Sequence, residues 1–223
     1  MALALRSVEL NQIIDRLAPD LRSLVEDYDD AKYPAHAYQL LVEAFGDHAK
    51  TTDADIERAL RWKFGHWRKI DYPAAHRHLA ERIAREWKRF SREGMQDPES
   101  IYRHWVMVLK REAFTPHITI TFLLHLLLPD QFPIMDQHTF RAMNWFLKDA
   151  RPKWPERKAP TDFSDLMMYK EFFDSLHTAW QSRDDAPTRS DLDKALMVFG
   201  QGLKLRSLGK TPVGLTNWQR LLL

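Results

Sequence analysis

The chain has 223 residues, 44% of them hydrophobic, a net charge of +2 and no cysteine. That length suits one sizeable core or two small lobes. The lack of cysteine excludes disulfides, cysteine-held zinc and an iron–sulfur cluster on cysteine ligands, and it suits a reducing cytoplasm. Met1 to Leu10 is too short and too broken by charge for a signal peptide. The longest apolar run, Ile118 to Leu128, is interrupted by His125 and too short to span a bilayer.

Helical signals dominate in chain order. Val8 to Tyr28 has apolar residues at helical spacing, and Pro19 divides it into two helices. Pro34 opens the next helix, closed by Gly46. Thr51-Thr-Asp-Ala-Asp-Ile-Glu57 starts another, which Gly65 ends. Pro73 begins a long amphipathic helix to Gly94, apolar at Leu79, Ile83, Trp87 and Phe90, with Arg77, Arg82, Arg85, Lys88 and Arg89 on its outer face. Asp97-Pro98 launches a helix to Lys110-Arg111. Thr115-Pro116 starts the apolar run. Its Ile118–Phe122 alternation also suits a strand, but Pro116, the length of the run and the lack of a partner strand favour helix. Two helices, 98–111 and 116–128, therefore form a hairpin.

Asp136 stands where the next helix begins, as an N-cap, and Phe140, Met143 and Leu147 form that helix's apolar stripe. Residues 151–160 hold three prolines and four positive charges and read as an exposed basic loop. Thr161-Asp162 starts a helix reaching Trp180. Thr188 leads the last one, ending near Gly200-Gln-Gly202. Residues 203–223 are ambiguous. The fold class is all-α, a bundle of nine to eleven helices.

Charge is uneven. Residues 1–57 carry 5 Lys and Arg against 12 Asp and Glu, whereas residues 58–111 carry 14 against 6. The basic block is an electrostatic footprint for a polyanion or, equally, a solvated helix face with internal ion pairs. His76 and His78 lie near acids but not at metal-ligand spacing. Trp62, Trp67 and Trp105 suit the core better than base stacking. Met143 and the Met167-Met168 pair suit core filling.

Met135-Asp-Gln-His-Thr-Phe-Arg-Ala-Met-Asn144 resembles the signature of the helix-hairpin-helix DNA glycosylase superfamily, the endonuclease III kind. The matching positions are Asp136, His138, Phe140, Arg141 and Asn144, and the resemblance covers roughly residues 105–148. It implies two lobes with a cleft between them: 53–148, bearing the hairpin and Asp136, and 1–52 with 149–223. It implies that Asp136 is catalytic and that double-stranded DNA is the partner. On this reading Lys110, Arg111, Thr115, His117, Thr119, His138, Arg141, Arg85, Lys88 and Arg89 are the DNA-binding residues. No cofactor, metal or membrane is implied.

Two departures shape the expected chemistry. No lysine lies between Lys110 and Lys148, so the Schiff-base route of bifunctional members is closed and a monofunctional enzyme using water is expected. The Gly-x-Gly hairpin turn is also missing: Ala113 to Thr119 contains no glycine, so any phosphate grip there must differ. A carboxylate near the sugar carbon stabilises the positive charge that builds as a base leaves. The target nucleotide must first rotate out of the duplex, at a cost of a few kcal/mol. The alternatives are a catalytically silent DNA-binding protein of the same fold, and a helical interaction protein in which Asp136 only caps a helix.

Overall fold

A computed structural model of the chain describes residues 3–93, 97–110, 116–155, 157 and 159–209. The described residues form helices and connecting segments, with no strand among them. None of these helices is long and apolar enough to cross a membrane.

The helices are α1 (Ser7–Leu17), a 3-10 turn (Ala18–Asp20), α2 (Leu21–Glu26), α3 (Ala35–Gly46), α4 (Asp53–Lys63) and α5 (Ala74–Glu93). After these come α6 (Pro98–Leu109), α7 (Pro116–Leu127), α8 (Gln137–Ala150), α9 (Phe163–Trp180) and α10 (Arg189–Ser207). Local chemistry sets their starts. Thr52 accepts from the Asp55 N–H while Asp55 accepts from that of Thr52. Asp97 and Asp162 cap α6 and α9 in the same sense. Pro19 falls in the 3-10 turn that separates α1 from α2. Gly65 ends α4 with φ +65, a left-handed conformation, and a Cβ there would press on the Tyr33 hydroxyl at 3.0 Å. The Ile118–Phe122 segment is helical.

The chain divides into two compact units, one of residues 29–132 and the other joining the N-terminal helices, through Tyr28, to the chain from Pro133 onward. This differs from the expected 53–148 boundaries for a packing reason. Helix α3 lies against α4 and α7, and α8 lies against α10 and α1. Asp136 therefore belongs to the unit that holds α1, not to the unit that holds α6 and α7.

The 29–132 unit is built on aromatics. Trp87 stacks on Trp105 at 5.6 Å between centroids and meets Phe45 edge-on at 5.2 Å; Trp62 stacks on Phe122 at 5.5 Å. Trp62 and Trp105 are core residues, as expected. His125, which breaks the apolar run in the sequence, is 4% exposed and fully employed. Its Nδ1 lies 2.6 Å from the Phe132 carbonyl and its Nε2 lies 2.7 Å from the Tyr38 hydroxyl. A carbonyl only accepts, so Nδ1 carries the proton and Nε2 accepts from Tyr38.

In the other unit, α8 and α10 share the most extensive helix contact, with Phe146 and Phe199 stacked at 4.9 Å. Helix α10 runs on to Ser207, past the expected end at Gly200-Gln-Gly202. Gly200 is helical because α10 lies against the first turn of α8. A Cβ on Gly200 would sit 2.0 Å from the His138 carbonyl oxygen.

The basic loop is less free than expected. Arg151 bonds Glu9 at 2.8 Å through both Nε and Nη2, and Arg157 pairs with the fully buried Asp165. Glu156 and Lys158 lie outside the described residues. Met143 is buried as expected, whereas Met167 is 41% exposed.

Candidate functional site

Asp136 is the N-cap of α8. Its Oδ1 accepts from the His138 N–H at 2.6 Å and the Thr139 N–H at 2.9 Å. The Thr139 hydroxyl accepts from the Asp136 N–H at 2.9 Å, closing the box from the other side. Two amides and the helix dipole together favour negative charge at this point. The residue is half-buried and is not sealed in the core.

Around it the structure brings together His138 and Arg141, two of the residues expected from sequence. Arg141 Nη1 lies 3.3 Å from both the Gly200 carbonyl and His138 Nδ1. A guanidinium only donates, so His138 Nδ1 accepts and the imidazole is neutral. Burial pushes the His138 pKa down, and the neighbouring Asp136 charge only partly restores it. Burial likewise lowers that of Arg141, again against the pull of Asp136. The donors of Arg141 are thus partly committed within the protein.

Sequence reasoning missed three neighbours. Thr139 completes the cap, and a hydroxyl at the third helical position was a readable signal for it. Gly200 sets how closely α10 meets the Asp136 turn. Tyr169, fully buried, feels the charges of Asp193 and Asp136, and its pKa is driven up mainly by burial. Nothing local in the sequence marks Gly200 or Tyr169.

The other expected contacts lie in the 29–132 unit. Arg85, Lys88 and Arg89 are exposed on α5, and Lys110 is exposed at the end of α6. His117 is half-buried, with Nδ1 2.6 Å from the Tyr102 hydroxyl. Thr119 is a correction: it is 1% exposed, because its side of α7 faces the core, and it presents no hydroxyl to a phosphate. Arg111 and Thr115 lie outside the described residues.

Among the described residues, no three His, Cys, Asp or Glu side chains gather as a metal-binding group. His104 and Glu86, on α6 and α5, approach to 3.5 Å, and burial keeps the His104 pKa low. Compared with known proteins, the chain matches no protein-family model, no curated protein and no solved structure.

Proposed function

We propose that this protein is a monofunctional DNA glycosylase-like enzyme of the helix-hairpin-helix kind, in which Asp136 directs water to the sugar carbon of a damaged or modified nucleotide. The glycosylase-type fold is part of the proposal. Water forms the new C–O bond, the base departs with the electrons of the C–N bond, and a proton passes from the water toward Asp136. The product is an abasic site in an unbroken strand.

One observation carries this reading. Asp136 follows two consecutive helices, α6 and α7, and a short connection, and it sits half-exposed with its charge held by helix amides. The basic face of α5 supports a polyanion partner. A second reading is favoured by the same geometry: the capping box alone accounts for Asp136 in a helical protein without catalysis.

The test is a panel of duplexes with modified bases, incubated with protein and then treated with alkali. Alkali-labile product with the wild type, and none with Asp136→Asn, is the expected result. Product that persists in Asp136→Asn overturns the assignment of the catalyst. No product from any duplex, with Asp136→Asn as stable as the wild type, favours the second reading.

A further inference from the structure

Helix α5 is flanked by two grooves of different charge. The groove toward α4 is balanced, with Asp53, Glu57 and Glu81 facing Arg77, Arg85 and Lys88. The groove toward α6 is not. Arg82, Arg85, Arg89 and Arg103 line it with a single carboxylate, Glu86; beyond the lining, Glu99 bonds Arg103 at 2.5 Å and Glu93 lies 3.8 Å from Arg89. Glu86 already engages Arg89 at 2.5 Å, and its side chain is only 21% exposed. Met107, 61% exposed, adds an apolar surface at the same place.

From this asymmetry we infer that the α5–α6 groove is a channel for the phosphodiester backbone of duplex DNA. The inference rests on the nucleic-acid reading above and supplies that reading with a location. With the pairs to Glu86, Glu93 and Glu99 counted, the four arginines still leave this flank an excess of one positive charge, whereas the other flank is balanced. Guanidinium groups bond phosphate oxygens in pairs, and two helices set side by side offer arginines along both walls of a track. Arg85 and Arg103 stand on opposite walls, both exposed. The exposed Met107 side chain suits contact with the apolar edge of a deoxyribose. Each arginine seated on a phosphate displaces counterions, so the salt dependence of binding counts these contacts.

The test measures binding of labelled duplex DNA to the full chain across a salt series. It compares the wild type, Arg85→Ala/Arg103→Ala, and a control of equal charge loss, Arg22→Ala/Arg206→Ala, at two exposed positions on other helices. Thermal melts check that all three fold. The groove variant is expected to bind roughly tenfold or more weakly, with a log–log salt slope shallower by about 2. The control should stay within about twofold of wild type, because its two arginines lie elsewhere. Equal weakening of both variants would overturn the groove in favour of diffuse attraction. Wild-type binding by the groove variant, or no binding by any protein, would also overturn it. Base release, scored with the same wild-type preparation, reads the enzyme proposal separately. Release with groove-independent binding removes only the groove; groove-dependent binding without release removes only the enzyme.

Discussion

Gly200 of α10 lies so close to His138 of α8 that a single methyl group would fall 2.0 Å from the His138 carbonyl oxygen. The obstacle is backbone, not the end of a flexible side chain, so Gly200→Ala must push α10 away from the turn that holds Asp136. A loss of about 1–3 kcal/mol is expected, as for overpacking elsewhere. Gly46, the last residue of α3, has nothing within 4 Å of its added Cβ. Gly46→Ala should therefore be neutral or stabilising by up to about 1 kcal/mol. Urea midpoints of the two variants check the contrast, and equal effects would refute it.

Capping and chemistry at Asp136 separate by choice of substitution. Asn retains an oxygen to accept from the His138 and Thr139 amides, while Ala does not. Asp136→Ala should lose about 1 kcal/mol and Asp136→Asn much less. Thr139→Val removes the reciprocal bond to the Asp136 N–H and should also cost about 1 kcal/mol. Denaturant unfolding of the three variants gives the ranking. Equal losses for Asn and Ala would show that the amide bonds contribute little.

Several histidines set the response to acid. Burial lowers the pKa of His66, His76, His104, His138 and His177 below the ordinary value of 6.5. As pH falls through about 6.5 the unfolded chain takes up protons first, so stability declines. The decline levels off once pH is below the folded-state values. Urea midpoints should therefore drop between pH 7.5 and 5.5. His138→Asn, which keeps an acceptor for Arg141, should make that drop smaller. A midpoint that is flat over this range would contradict the burial argument.

Arg151 holds a nearly inaccessible carboxylate. Glu9 is 3% exposed, and the Arg151 guanidinium keeps its carboxyl well below the usual range. Arg151→Ala leaves that charge without its main partner and should cost about 3 kcal/mol. Adding Glu9→Gln removes the charge and should recover part of the loss. A double variant no more stable than Arg151→Ala would assign the cost to packing.

Tyr38 donates to His125 Nε2 while His125 Nδ1 donates to the Phe132 carbonyl. Tyr38→Phe leaves a buried imidazole acceptor unmatched and should cost about 1–3 kcal/mol. In the wild type, nitrogen chemical shifts of the His125 ring should show the proton on Nδ1. A proton on Nε2 would contradict the assignment.

Helix starts were legible because their causes are local. Thr52, Asp97, Asp136 and Asp162 each bond amides two or three residues ahead, which is a property of sequence alone. Features that depend on distant partners were not legible. Gly200 read as a helix end because glycine usually marks one, whereas its cause is a carbonyl 62 positions away on α8. Arg151 read as a solvated cation because Glu9 is 142 residues distant.

The candidate site shows the same division. Asp136, His138 and Arg141 fall on two successive turns of one helix, so spacing was enough to group them. Thr119 was misplaced because an apolar helix gives little sign of which polar residue faces in; the Thr121 side chain is buried too. Arg82 and Arg103 gained significance only when α5 and α6 were seen side by side. The division of the chain shifted for a similar reason, since which helices α3 and α8 pack against is not written in either helix.

One unit is assembled from two separated stretches of chain, and this matters while the protein is being made. Residues 29–132 have all their internal partners once residue 132 has emerged from the ribosome. Helices α1 and α2 emerge earlier but must wait for α8, α9 and α10, with Ile13, Ile14, Leu17 and Leu24 uncovered meanwhile. During synthesis residues 29–132 are therefore able to reach their native packing before the unit whose two stretches they separate.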